Sequence, residues 1–310
     1  MSGTLQTLPA SLTPAAREIQ PFAWHGWRLR VPASWNPVAL EGDFGKGHAL
    51  LAESGEPRLG VRWRSVAAKE VTAEILRRAI RDEVGDEAAG HAKALPDPDT
   101  DADAPSNHLL CIDPNPPGRD VYVWHSVGER LVQLVYHATT RDDVLRREIL
   151  PSLGDLSFMD TRPWAVLGLS CAVPAEMTLK AKRLNAGDLT LEFADATRFV
   201  TVRQIALAHL ALARAPLAAW LEEQQRARRQ RYRADGGPAN VAIETNDGRA
   251  LFGIIGVMRR RRRFCWSWRV AREIVTLALH DATRDHLLLV EASDEPLARD
   301  VAKTVGCDIS

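Results

Sequence analysis

Between Arg58 and Ser65 the chain alternates, with apolar Leu59, Val61 and Trp63 set between Arg58, Arg62 and Arg64. A period of two sends one set to each face of a sheet, which predicts a half-buried strand. From Glu70 to Val84 the spacing changes to three and four, through Val71, Ile75, Leu76, Ala79, Ile80 and Val84. That spacing predicts an amphipathic helix. Before these, strands are expected at Trp27–Val31, closed by Pro32, and at Ala49–Glu53, because proline removes a ladder donor. Asp86 to Asn107 holds Pro96, Pro98 and Pro105 with Asp97, Asp99, Asp101 and Asp103. Such a stretch has too little apolar surface to order itself, so a loop is expected. Strands at His108–Ile112, Val121–Ser126 and Arg130–Tyr136 should follow, then a helix from Arg141 with Thr140 at its cap.

A similar order comes round again. Strands are predicted at Ala165–Val173, Leu189–Phe193 and Phe199–Ile205, then a helix with Pro216 near its first turn and Leu217, Trp220 and Leu221 on one face. After Gly236-Gly237-Pro238, a hairpin of Leu251–Met258 with Phe264–Val270 and a strand at Glu273–Leu279 are expected. A last helix near Pro296–Val305 is delayed by an insertion around Leu287–Asp294. Direct matches support the recurrence. Val31-Pro32 returns as Val173-Pro174 after 142 residues, and Val61-Arg62 as Val202-Arg203 after 141. Gly47, Leu51 and Arg58 match Gly187, Leu191 and Arg198 after 140. Glu129–Asp142 (ERLVQLVYHATTRD) matches Arg272–Asp285 (REIVTLALHDATRD) after 143. A nearly constant offset points to tandem duplication, with a tail at 1–20, a first repeat at 21–157 and a second at 163–310.

Val31-Pro32-Ala33-Ser34-Trp35 opens the first repeat and Ile149-Leu150-Pro151-Ser152-Leu153 closes it. The second keeps Val173-Pro174, has Met177 near the tryptophan's place, and ends on Val301-Ala302-Lys303-Thr304-Val305. With the order of elements, these motifs resemble the Mog1p/PsbP-like superfamily. The resemblance implies an α+β fold of two similar halves, each an antiparallel sheet flanked by helices. Members of that superfamily mostly bind proteins: a Ran-binding nuclear transport factor, an extrinsic photosystem subunit, and bacterial adaptor chaperones of secreted effectors. They share no catalytic residues.

At 310 residues the chain has room for two cores. Its 40 basic and 40 acidic residues cancel, yet the first 160 residues hold 17 basic and 23 acidic and the remainder the reverse. This polarity could steer a charged partner or hold the halves together; ordinary solvated surface is the plainer reading. Cys111, Cys171, Cys265 and Cys307 lie too far apart for a zinc motif or a disulfide framework, which predicts reduced thiols. Neither a signal peptide nor a membrane span is expected: Ile205–Leu221 is interrupted by His209, Arg214 and Pro216. A cytoplasmic location follows as an expectation.

His137 and His280 each open a His-x-x-Thr-Arg-Asp motif, ending at Asp142 and Asp285. A histidine with an orienting carboxylate is general-base chemistry; threonine and aspartate at a helix start are capping chemistry, the reading preferred here. Arg259, Arg260, Arg261, Arg262 and Arg263 run directly into Phe264, Trp266 and Trp268, and a second basic cluster includes Arg226, Arg228, Arg229, Arg231 and Arg233. Arginines beside aromatics suit phosphate contact with base stacking, so Arg259 to Arg263 with Arg226 and Arg229 form a candidate polyanion site. The competing reading is a hairpin tip with solvated arginines and inward-facing tryptophans. Trp24, Trp27, Trp35 and Trp63 are expected in a core. Nucleotide-loop, nucleophile-elbow and zinc motifs are missing from the sequence, so no catalytic, cofactor or metal residue is assigned. The sequence therefore points to a non-catalytic protein-binding or adaptor-like protein, two copies in one chain imitating a symmetric dimer. Polyanion binding is the alternative.

Overall fold

The computed structural model describes residues 18–94, 108–112, 118–126, 129–137, 145–226, 232–260 and 273–307. The chain opens with β1 (Ile19–Trp24) and β2 (Trp27–Pro32), followed by β3 (Asn36–Gly42), β4 (Lys46–Glu53) and β5 (Glu56–Ser65). Helix α1 (Ala73–Ala89) precedes β6 (Lys93–Ala94), β7 (His108–Cys111), β8 (Arg119–Ser126) and β9 (Arg130–His137). Two short helical turns over Leu145–Ser152 and β10 (Gly154–Asp155) lead into β11 (Thr161–Val166) and β12 (Leu169–Pro174). Then come β13 (Thr178–Asn185), β14 (Asp188–Ala194) and β15 (Phe199–Ala206), with α2 (Ala208–Arg214) and α3 (Leu217–Gln224). The chain finishes with β16 (Tyr232–Ala234), β17 (Ala239–Glu244), β18 (Ala250–Arg260), β19 (Glu273–Asp281), β20 (His286–Ala292) and α4 (Glu295–Ala302).

These strands form three antiparallel sheets. One has seven strands in the order β3-β4-β5-β9-β8-β7-β6, and another eight, ordered β13-β14-β15-β20-β19-β18-β16 with β17 also on β18. The third is shared: β10-β2-β1-β11-β12 takes strands from both halves. Strands make up 54% of the structure and helices 20%. The expected α+β class with helices flanking each sheet is therefore wrong. The structure is mostly β. The inner face of each large sheet meets the shared sheet, with α4 packed beside it on β19, β20 and β12 in the second half, because alternating apolar side chains from all three sheets meet in one core. That core joins Trp24, Trp27 and Trp164 of the shared sheet to Val61, Trp63 and Leu134 on one side and Val202, Leu277 and Val290 on the other.

The two halves trace one path. Both open with a two-residue hairpin, His25-Gly26 and Leu167-Gly168, with φ values of 50° and 85° in the first and 52° and 81° in the second. This left-handed pair matches the twist of the flanking strands. Val31 and Val173 take equivalent places on β2 and β12. Irregularities at Val38 on β3 and Lys180 on β13 break the two outermost strands at the same point, which blunts exposed edges against further pairing. Ser152 Oγ accepts from Arg30 N (2.7 Å) and donates to Ile149 O, as Thr304 Oγ1 accepts from Ala172 N (2.8 Å) and donates to Val301 O.

One expected equivalence is misplaced by a strand. Leu134 on β9 pairs with Val61, whereas Leu277 on β19 pairs with Val290; the residue paired with Val202 is Val290 on β20. The counterpart of β9 is thus β20, the stretch around Leu287–Asp294 that was expected to be an insertion. Similarly, Gly47 and Leu51 correspond in the ladders to Leu189 and Phe193, not to Gly187 and Leu191. β18 pairs with β19; Phe264–Val270, its expected hairpin partner, lies outside the described residues. Thr283-Arg284-Asp285 forms the β19–β20 turn and starts no helix, while residues 138–144 lie outside the described residues.

On the outer face of each large sheet lies a helix. Leu76 and Ile80 of α1 enter a cluster with Leu109, Val121, Val123 and Leu131. Leu221 of α3 does the same with Ile254, Ala278 and Leu289, with Leu217 and Trp220 packed alongside. Pro216 separates α2 from α3, since it cannot supply the backbone donor a continuous helix needs.

Candidate functional site

Arg259 and Arg260, at the end of β18, lie opposite Arg233 and Tyr232 of β16. Strand pairing thus sets Arg233 of one basic cluster beside Arg259 of the other. Like charges directly opposite repel; Arg259 is offset by Asp235 at 3.0 Å and Glu273 at 3.3 Å. Arg226 is exposed and ion-paired with Glu223. Arg229, Arg261, Arg262 and Arg263, like Trp266 and Trp268, lie outside the described residues.

Of the histidine motifs, Asp142 lies outside the described residues, and Asp285 is held by His209. The Asp285 carboxylate accepts from His209 N at 2.9 Å and contacts His209 Nδ1, tying the β19–β20 turn to α2. His137 is half-buried at the end of β9, and burial pushes its pKa down.

Where the shared sheet meets the first repeat, a cluster forms that the sequence pattern does not show. Arg130 is 1% exposed and donates through Nη1 to His25 O (2.5 Å) and through Nη2 to Phe44 O (3.3 Å). Its guanidinium and that of Arg162 both lie over the Phe44 ring, at 4.7 and 4.2 Å from the centroid. Cations favour a ring face for electrostatic reasons. Burial, then the Arg130 charge, lowers the His25 pKa to about 4. Burial also lowers that of Arg130 to about 10, opposed by Asp155. Asp155 in turn accepts from Ser126 Oγ and Ser157 N. Trp24 and Trp164 cross edge to face at 5.0 Å. Charges, rings and backbone carbonyls hold three turns together here.

A groove of about 1010 Å³ lies on the outer face of the first repeat, between α1 and the strands beside it. Lys46 stands opposite Arg64, and His48 opposite Arg62, on β4 and β5; Gln133 continues the second row on β9. Ile75, Arg78, Ala79, Asp82 and Glu83 of α1 make the facing wall. Gln133 Nε2 donates to Ala79 O (2.8 Å), and Arg62 pairs with Glu83, bridging sheet and helix. At the far end Asp43 accepts from the N–H groups of Lys46 and Gly45, which holds its carboxyl below the usual range.

The second repeat links strands and helix at the same place with its own side chains. Arg203, counterpart of Arg62, is clamped by Asp188 at 2.7 and 3.0 Å and reaches Gln224 of α3 at 2.9 Å. Gln224 is the counterpart of Glu83, so the strand-to-helix bridge recurs while the strand-to-strand clamp is new.

Among the described residues no His, Cys, Asp or Glu cluster could hold a metal ion, and no helix is long and apolar enough to cross a membrane. No model of a known protein family matches the chain, and no curated protein matches it.

Proposed function

We propose that the chain is a non-catalytic, cytoplasmic protein-binding protein of the adaptor kind, engaging its partner through the groove of the first repeat. One observation carries this reading: of two equivalent sites, the second is clamped internally by Arg203, Asp188 and Gln224, and the first has a wide opening lined by charged groups of both signs. Small-molecule pockets are enclosed; an open trough whose rim carries both charges suits a polypeptide. The reading rests on this geometry and not on the superfamily resemblance.

Site-specific photocrosslinking in the native cell tests it. A photoreactive residue replacing exposed Arg78 should capture a protein, while one replacing exposed Ala219, its counterpart on α3, should not. Equal capture from both positions, or none from Arg78, would remove the proposal.

A second reading has its own support, since β16 and β18 set Arg233 beside Arg259. Polyanion binding there predicts affinity that falls steeply with salt. Absence of any fluorescence anisotropy change with single-stranded or duplex DNA at low salt would end it.

A further inference from the structure

The second repeat shows what its own version of the groove contains. Ile80 and Leu221 plug equivalent positions in the sheet, and Glu83 and Gln224 meet equivalent arginines. On that alignment Ala79 of α1 corresponds to Trp220 of α3. Ala79 lines the open groove, and half-buried Trp220 packs over the cluster of Leu221, Ile254, Ala278 and Leu289. On the strand side Lys46 corresponds to Asp188. The second repeat therefore carries an indole and a carboxylate where the first carries a methyl group and an ammonium.

We propose that the first-repeat groove takes from its partner what the second repeat supplies for itself: a segment presenting a large aromatic side chain close to a carboxylate. The proposal rests on the protein-binding reading above and names the chemistry of the bound segment. The indole or phenyl ring would lie beside Ala79 and Ile75, the apolar part of the helix wall. The carboxylate would meet Lys46, which faces Arg64 across β4 and β5, and Arg62, the counterpart of the arginine that Asp188 holds; the Lys46 charge also acts on Asp43. Like charges so placed cost stability, and a ligand carboxylate relieves that cost. Glu41 and Asp82 also line the groove. They oppose a run of phosphates but leave room for a single carboxylate, so the occupant is an aromatic-acidic peptide and not a nucleic acid.

Fluorescence anisotropy with a labelled nine-residue peptide, one tryptophan flanked by two glutamates, tests the assignment on the full chain. Replacing the peptide's tryptophan with alanine, or its glutamates with glutamines, should each weaken binding tenfold or more. Ala79→Trp should plug the groove and weaken binding at least as much, and Lys46→Asp should do so by recreating the internal clamp. Thermal melting establishes that each variant is folded; should Ala79→Trp fail to fold, the exposed Lys46→Asp decides alone. Binding that ignores the peptide changes, or survives Lys46→Asp undiminished, overturns the proposal. Crosslinking from Arg78 combined with failure of these peptides would overturn this inference and leave the protein-binding reading standing.

Discussion

Lys182 Nζ donates a 2.6 Å hydrogen bond to the carbonyl oxygen of Leu40, the residue 142 positions earlier and its own counterpart in the first repeat. Ala23 likewise pairs across the shared sheet with Ala165, its own counterpart. Equivalent positions touch each other only beside a two-fold axis, the mark of an isologous interface. The repeats are arranged as the subunits of a dimer would be. Lys182→Met removes the bond while keeping most of the stem. A loss of about 0.5–1.5 kcal/mol is expected, the usual net worth of one hydrogen bond. Urea denaturation should register it, and Lys180→Met on the same strand should show none.

Ser152 and Thr304 perform the same task ten residues apart in register. Each accepts a β-strand N–H and hands its proton to the preceding turn. Ser152→Ala and Thr304→Val should each cost about 1 kcal/mol. β2 and β12 are separated by β1 and β11, so the losses should add in the double variant. A double variant no less stable than either single one would contradict the equivalence.

His25 gives stability a pH dependence of definite sign. Its folded pKa, about 4, lies below the ordinary 6.5. Between those values the unfolded chain binds the proton and the folded chain does not, so stability falls as pH drops from 6.5 toward 4 and this contribution then levels off. The span is on the order of 3 kcal/mol at about 1.4 kcal/mol per pH unit. Asparagine tolerates the left-handed backbone that His25 adopts. His25→Asn should therefore flatten the wild-type slope in that window in pH-dependent melting experiments, leaving the smaller contributions of His137 and His286, whose pKa values burial also lowers.

Trp164 lies in the second repeat but packs against Trp24 and His25 of the first, each at 5.0 Å, and against Phe193. Trp164→Ala should cost about 3–5 kcal/mol. Because the core is continuous, calorimetry should show one transition moved to lower temperature. Two resolved transitions would mean that the repeats melt separately.

Early in each repeat some marks are local and were legible, although the one strand expected at Ala165–Val173 is the β11–β12 hairpin turning at Leu167-Gly168, and β1, β3 and β13 carried no such mark. Val31-Pro32 and Val173-Pro174 close strands because proline has no ladder donor, and Arg58–Ser65 and Glu70–Val84 carry clear periods of two and of three to four. Later the signals become interchangeable. Two neighbouring buried strands of one sheet look alike, so ERLVQLVYH matched REIVTLALH although β9 corresponds to β20. A threonine and an aspartate after a strand suit a hairpin turn as well as a helix cap, and Thr283–Asp285 is the turn. The groove could not be read at all. Its meaning lies in the pairing of Ala79 with Trp220 and Lys46 with Asp188, which needs the helix registers that only the fold provides. The Phe44 clamp has no local pattern either, since Arg130 and Arg162 reach it from strands far along the chain.

The strand pair β1–β11 has a consequence for how the molecule can vary. In an assembly of two identical chains, any change to one recognition site is a change to both. Here a covalent link across that seam frees each copy to mutate alone. One has gained the Arg203–Asp188 clamp between its strands, while the other has lysine at that place.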